Sequence, residues 1–599
     1  MCGLFGIAAV NGARLSPEHL ARAERALSRL AHRGPDATGI TLHGEVFMGH
    51  RRLSVIDLSE AGRQPMLSSA GDVAITVNGE NYNFRDLRDE LGREKFRSGS
   101  DSEVVLHGYR QWGIDRLCER LDGMYAAVVS DRIRRKLFLF RDRPGIKPLY
   151  YGRVGDSFVW ASELKAIECF FLPGELTIDP TALLDFLTYR YVPSPKSLYR
   201  EISKLPPATI LEVDLDSGAI LQREYWRPPA EDEEVANTDA LAEELRGLLQ
   251  ESVREQMVSD VPLGFFLSGG LDSSIITGIA AKDHIDCRAF SIGFDVQSHD
   301  ETEYAAAVAR HFGAVHTRKE IRADDATDLI ARMLAWYDEP FADTSALPTY
   351  HVSALARTNV TVALSGDGAD ELFGGYAWYH RFWKLRRLQG PLSGQGRPPL
   401  NLPYRHNPSS FAGKAMKAFA LWGQFDPLAL YAGVVSDPMM KERRRYRQEM
   451  GIAEDYDDLW ALRRYWKPEL SPLKQLQYLD FHTFLPDDIL TKVDRVSMAV
   501  SLEVRVPYLS RKLIEFAFRM PPSFLMLNGQ LKGGLKYAYR DMLPPQILGR
   551  RKKGFSIPTS QWKSRICGTE NGIQEAFVRA ILARPAPSQP QNEPAPLSA

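Results

Sequence analysis

The cysteine at position 2 of MCGLFGI poses a chemical question. Removal of Met1 leaves one residue carrying both a thiol and a free α-amine, groups whose ordinary pKa values are about 8.5 and about 7.7–8.0. Such a residue brings its own general base to its own nucleophile. The plainer alternative is a small buried apolar residue, the usual state of a free cysteine. A second candidate is SGGLDSS at 268–274. An apolar strand ends at Leu267, Ser268, Gly269 and Gly270 form a turn with little side-chain bulk, and Asp272, Ser273 and Ser274 open a helix. Backbone N–H groups and the helix dipole make an anion site there, the hydroxyls suit phosphate oxygens, and Asp272 suits Mg2+. No Gly-Lys-Ser/Thr follows, so this is not a Walker A loop, and alone it is equally a plain strand–helix turn. The third candidate is VALSGDGADELFGGY, in which Ser365 and Gly366 end a strand and Asp367, Asp370 and Glu371 follow within one turn. In a parallel sheet both loops fall at the carboxyl ends of strands, where such sheets bind ligands.

The elements that must position these residues follow two grammars. In the first third, VFMGHRRLSVIDL, DVAITVNGENYN, GMYAAVVSD, KLFLFRDR and SFVWASE read as strands between turns, with helices at PEHLARAERALSRL and SEVVLHGYRQWG. ILEVDL and REYW add strand character, and PPAEDEEVANTD has no periodicity. From Leu241 strands and helices alternate: LAEELRGLLQESVREQM, PLGFFLS, SSIITGIAA, CRAFSIGF, EYAAAVARHFG with Gly313 as its cap, then VTVALSG. That alternation predicts a parallel, doubly wound sheet. LPDDILTKVDRVSMAVSLEVRVP carries charges at helical spacing and reads as a packed helix with buried ion pairs. His32, His50 and His107 show no metal-ligand spacing and read as structural.

Composition narrows the classes. The 599 residues are 44% hydrophobic, with a formal net charge of −1, which gives no basic footprint for nucleic acid. Five cysteines without a CxxC pair argue against a disulfide framework or zinc ribbon and fit a reducing, cytoplasmic setting. No apolar run is long enough to span a bilayer, and no secretory signal is read at the N-terminus.

Taken together the strings resemble a known family. SGGLDSS is similar to the pyrophosphate-binding motif of ATP pyrophosphatases, and LSGDGADELFGGY with SLEVRVPYL narrows the likeness to the asparagine synthetase branch. MCGLFGI, AHRGPDATG, HRRLSVIDLS, VNGENYN, GSDSE, RDRPGIKPLYY and WASELKAI resemble the N-terminal-nucleophile glutaminase of class II amidotransferases. The likeness runs to about Trp562. It implies an αββα sandwich over 2–215 and an ATP-pyrophosphatase-type synthetase with a helical shell over 239–575, while composition alone reads 216–238 as a linker and the Pro-rich 583–599 as a disordered tail.

The resemblance also implies roles. Cys2 would attack the glutamine amide, with Asn78 and Gly79 as oxyanion donors. Arg52 would clamp the glutamine carboxylate, Leu53, Ser54, Val55 and Ile56 would line the pocket, and Glu80 and Asp101 would hold the ammonium. Leu267, Ile292, Ser365 and Gly366 would meet adenosine. Ser268, Gly269, Gly270, Ser273 and Lys552 would hold phosphates, with Lys536 as the alternative lysine. Asp272 and Asp370 would bind Mg2+, and Asp367 would serve acyl-adenylate formation or ammonia deprotonation. The implied reaction is glutamine- and ATP-dependent amidation of a carboxylate. L-Aspartate is the default acceptor; a sugar acid or a natural-product or exopolysaccharide precursor is the rival. A silent scaffold is disfavoured by intact Cys2, Asp272 and Asp367, and a homodimer stays open. Asn81 stands where an apolar residue is commoner in the family, and after GFSIP the chain passes quickly into a Pro-rich tail.

Overall fold

Strand Gly3–Ala9 is buried along its whole length, because both faces of its sheet are covered. It pairs antiparallel with Val46–Arg52 on one side and Ser157–Ala161 on the other. The computed structural model, which describes residues 1–229, 237–283, 286–390, 421–435, 440–550, 554–558, 561–562 and 570–583, extends this sheet to six strands. Their order is Ile202–Lys204, Tyr150–Val154, Ser157–Ala161, Gly3–Ala9, Val46–Arg52 and Ala37–Leu42. A second sheet runs Ile220–Glu224, Thr209–Asp214, Lys136–Arg141, Gly123–Asp131, Val73–Asn81 and Met66–Leu67. Ala8, Met48 and Trp160 from the first sheet interlock with Ala74, Val128 and Leu139 from the second. Helices Pro17–Ser28 and Leu164–Phe170 pack on the outer face of the first sheet, and Phe84–Leu91 and Glu103–Arg120 on that of the second. The result is the αββα layering expected. Ser16 starts the first helix, its hydroxyl accepting from the His19 amide with Pro17 in the first turn.

The C-terminal part is built on a five-stranded parallel sheet in the order Val315–Ile321, Arg288–Phe294, Leu263–Phe266, Val362–Leu364 and Glu503–Arg505. The chain winds outward from Leu263–Phe266 in one direction, then returns to build Val362–Leu364 on its other side. The switch point therefore lies between those two strands, and a crevice outside their carboxyl ends is the expected ligand site. Gly313 caps helix Thr302–Phe312 in the left-handed conformation, as its placement predicted.

The structure departs from the sequence reading in four places. The strand beginning at Val46 stops at Arg52, and Leu53–Ile56 leave the sheet. Edge strand Ile220–Glu224 lies inside the stretch read as linker, of which 230–236 fall outside the described residues. Val315–Ile321 is a strand that its charged sequence did not announce. Charges at helical spacing also concealed Glu503–Arg505: helix Thr491–Met498 ends before Ala499, the chain turns through a left-handed Ser501 (φ 55°), and it becomes the edge strand of the sheet. Beyond GFSIP, helix Glu570–Leu582 buries Ile573, Phe577, Val578 and Ile581. Residues 584–599, most of the tail expected to be disordered, lie outside the described residues. No described helix is long and apolar enough to cross a membrane, and Cys2, Cys118, Cys169 and Cys287 are free thiols.

Candidate active sites

Cys2 opens the central strand of the first sheet and is buried, which pushes its thiol pKa up. Its amide N–H donates to Asn78 Oδ1 at 2.8 Å, its carbonyl accepts from Arg33 Nε at 3.0 Å, and its Sγ lies 4.0 Å from the Leu53 carbonyl. Anchoring Oδ1 leaves Asn78 Nδ2 buried with no hydrogen-bond partner. A buried orphan donor beside a nucleophile is what a developing oxyanion needs. Gly79 follows at φ 148°, and a Cβ there would stand 1.9 Å from the Met124 carbonyl, so no side chain fits.

Two acids face this pocket. Glu80 is pushed well above the usual carboxylate range by burial and by the charges of Asp101 and Glu503. Asp101 is raised to about 6, chiefly by burial, although its Oδ2 accepts from the Asn81 amide at 2.7 Å. The Asn81 side-chain amide adds a contact at 3.4 Å, one that an apolar residue cannot make. Two buried acids raised together suit a ligand that brings its own cation. Arg52, expected to clamp a carboxylate, donates through its guanidinium to the Ser59 carbonyl at 2.8 Å and to the Asp57 carbonyl, bracing that loop. Leu53 and Val55 are buried, Ile56 is half-buried, and the Ser54 amide donates to Asp36 at 2.8 Å.

In the unprocessed chain the α-ammonium belongs to Met1 and pairs with Glu503 Oε2 at 2.5 Å, both groups fully buried. Against the burial that would raise it, this ammonium, Arg505 and Lys147 hold Glu503 at about 2. Arg505 Nε donates to Glu503 Oε1 at 2.7 Å, and its Nη2 lies 3.9 Å from Glu80. Glu503 and Arg505 thus reach the Cys2 pocket from the C-terminal sheet. They were not picked out as site residues in the sequence, because only the fold places them there.

At the switch point the two loops meet. The Ser268 amide donates to Ser273 Oγ at 3.2 Å, and the Gly270 amide donates to Ser268 Oγ at 3.3 Å. Leu267 and Ile292 are buried beneath the turn. Gly366 approaches so closely that a Cβ would stand 3.0 Å from Asp272 Cβ and from the Ser273 amide. The Ser365 amide donates to the Arg505 carbonyl at 2.8 Å, and its hydroxyl donates to Asp367 at 2.5 Å. The strand Glu503–Arg505 therefore touches both pockets, by side chain at one and by backbone at the other. Asp272 and Asp370 are drawn together by Lys532, whose Nζ is 2.6 Å from an oxygen of each. Hard carboxylate oxygens on adjoining loops beside an anion cradle suit Mg2+, which is held by one or two carboxylates with substrate phosphates rather than by an all-protein cage. Among the described residues no group of three or more His, Cys, Asp or Glu converges in such a cage.

Lys552 lies outside the described residues. Arg550, two residues before it, donates to the Gly269 carbonyl at 2.8 Å and pairs with Glu301. Lys536 contacts Gln530 at 3.3 Å, and among the described residues a lysine that pairs with Asp272 and Asp370 is Lys532, which the sequence reading did not single out. A further group stands nearby: Lys492 Nζ bonds Asp343 at 3.0 Å, with Asp488 beside them, and the charge of Asp367 also acts on Lys492. His50 is buried with its pKa lowered to about 3 by desolvation, as fits a structural histidine.

The glutamine amidotransferase domain profile matches residues 1–226, and the asparagine synthase profile matches residues 244–580. Asparagine synthetase [glutamine-hydrolyzing] 1 of Bacillus subtilis is 32% identical over 97% of this chain and 91% of its own length. A putative asparagine synthetase [glutamine-hydrolyzing] of Mycobacterium bovis is 33% identical over 94% of this chain and 88% of its own length. One from Methanocaldococcus jannaschii is 34% identical over 85% of this chain and its full length.

Proposed function

We propose a reaction course from one premise: the chain belongs to the glutamine-hydrolysing asparagine synthetase family and is an ATP-using ligase. With Met1 removed, Cys2 Sγ attacks the glutamine amide carbon while the Cys2 α-amine takes the thiol proton and passes it to the departing ammonia. Asn78 Nδ2 and the Gly79 N–H receive the oxyanion. Glu80 and Asp101 hold the substrate ammonium, and water then releases glutamate from the thioester. Ammonia crosses apolar ground: Leu53, Val55, Met124 and Ile146 share one buried cluster with Leu267, Leu364 and Val506 of the other half.

At the switch point a carboxylate oxygen attacks the α-phosphorus of ATP, and pyrophosphate leaves. Ser268, Ser273 and the Gly270 amide hold phosphate oxygens. Asp272 and Asp370 would hold Mg2+, which supplies charge neutralisation to the phosphates. Asp367 takes a proton as ammonia attacks the acyl-adenylate, giving the amide and AMP. The acceptor is L-aspartate. The observation that carries this is the Lys492–Asp343–Asp488 group beside Asp367: a buried ammonium suits the α-carboxylate of an amino acid, and carboxylates suit its α-ammonium. A sugar acid lacks that second charge.

The test is an acceptor screen with glutamine, Mg-ATP and pyrophosphate detection. Aspartate should be turned over and sugar acids should not; preference for a non-amino carboxylate rules the acceptor assignment out. In the same assay Cys2→Ala should abolish glutamine-dependent synthesis and retain the ammonia-dependent reaction. Equal loss with both nitrogen sources in a folded variant would refute the division of labour.

A further inference from the structure

Lys532 has no room to be a casual surface cation. It is 4% exposed, so its ammonium cannot reach water along its own stem. It sits at φ 55°, a backbone region that non-glycine residues rarely adopt. Space is cleared for it: a Cβ on Gly375 would stand 2.2 Å from Lys532 Cε and 1.8 Å from Asp370 Oδ1. Its Nζ contacts Asp272 Oδ1 and Asp370 Oδ1, both at 2.6 Å, across separate loops.

Those are the two carboxylates assigned above to the metal, and the inference rests on that assignment. A Mg2+ ion takes its oxygens at about 2.0–2.1 Å, so it competes with the ammonium for the same two carboxylates. Two like charges at that range also repel strongly. Phosphate oxygens change the balance, since they offer the ammonium a second anionic partner and bring the metal with them. We propose that Lys532 is an internal counter-cation that holds Asp272 and Asp370 together in the nucleotide-free enzyme, closing the metal position to free divalent ions so that the metal enters only with ATP.

Direct Mn2+ titration of the full chain, read by electron paramagnetic resonance of the free ion, tests this without turnover. The wild type alone should bind Mn2+ only weakly and should bind it tightly when α,β-methylene-ATP is present. Lys532→Met should bind Mn2+ without nucleotide about tenfold or more tighter than the wild type, a difference of about 1.4 kcal/mol. Adding Asp370→Asn to that variant should remove the gain. Equal Mn2+ binding by the wild type with and without the analogue overturns the proposal, and this arm needs no variant to fold. So does a folded Lys532→Met chain that gains no Mn2+ binding. If the analogue brings no Mn2+ to the wild type, the carboxylate pair is not the metal site, and the lysine's role falls with it.

Discussion

Asn78 carries a clear division of labour within one side chain. Its Oδ1 accepts from the Cys2 backbone N–H, and its Nδ2 has no acceptor among the described residues, which leaves it for the proposed oxyanion. Asn78→Asp keeps an acceptor for the Cys2 N–H but has no donor, so glutaminase kcat should fall about 100-fold to 1000-fold with the chain still folded. Steady-state hydrolysis of glutamine measures it, and near-normal kcat would assign the oxyanion to other donors. Asp101 gives a pH signature. A carboxyl raised to about 6 takes up a proton as pH falls through that value and loses the charge that holds the substrate ammonium. For glutaminase, kcat/KM should therefore drop below about pH 6, since that ratio reports free-enzyme pKa values; a drop that begins only near the ordinary Asp value of about 3.9 would show Asp101 is not raised. Cys2, Ser268, Asp272 and Asp367 could be singled out in sequence because each sits in a short string that resembles a family motif. Lys532 was not, because it meets Asp272 across 260 residues and no periodicity marks it. Arg52 was singled out in sequence as a carboxylate clamp, but its carbonyl partners at Asp57 and Ser59 were not legible, since backbone acceptors leave no trace in residue type.

Elements show the same contrast. The long buried strands and amphipathic helices were readable because burial on both faces or on one stripe leaves a periodic record. The three-residue strand Glu503–Arg505 leaves none: it is too short for a period, and two of its residues are charged. Its place in the sheet comes from parallel pairing with Val362–Leu364. The sequence after GFSIP passes quickly into a Pro-rich tail, yet the last described helix, Glu570–Leu582, packs into the core. Phe577 is fully buried and meets Phe186 edge-on, with ring centroids 5.9 Å apart. Phe577→Ala should cost about 3–5 kcal/mol, read as a lower thermal midpoint. An unchanged midpoint would mean that this helix adds nothing to the folded shell.

Across the whole molecule the two halves are joined by buried charge. Arg33 lies in the N-terminal half, fully buried, with its Nη1 and Nη2 on the Asp494 carboxylate at 2.8 and 3.1 Å. Its Nη1 also donates to Glu163 at 2.8 Å, and Arg495 of the other half reaches the same carboxylate at 3.2 Å. Lys165 ties Glu163 to Asp338 at 3.1 and 3.3 Å. Arg33 also donates its Nε–H to the Cys2 carbonyl. A residue of the synthetase half thus sets the position of a guanidinium that positions the nucleophile. Removing one partner of a buried pair leaves the other uncompensated, so even the isosteric Asp494→Asn should let Arg33 shift toward Glu163 and loosen its hold on Cys2. Couplings carried by such networks are of order 0.5–2 kcal/mol, so glutaminase kcat should fall about tenfold. Ammonia-dependent synthesis should fall less, because the ion-pair partners of Asp494 among the described residues, Arg33 and Lys147, lie in the N-terminal half. Parallel assays of the two activities, each normalised to the folded fraction from thermal melts, separate the cases. If both activities fall together in step with folded protein, Asp494 only holds the halves together; a selective loss of glutamine hydrolysis shows that the interface also sets the geometry of the first site.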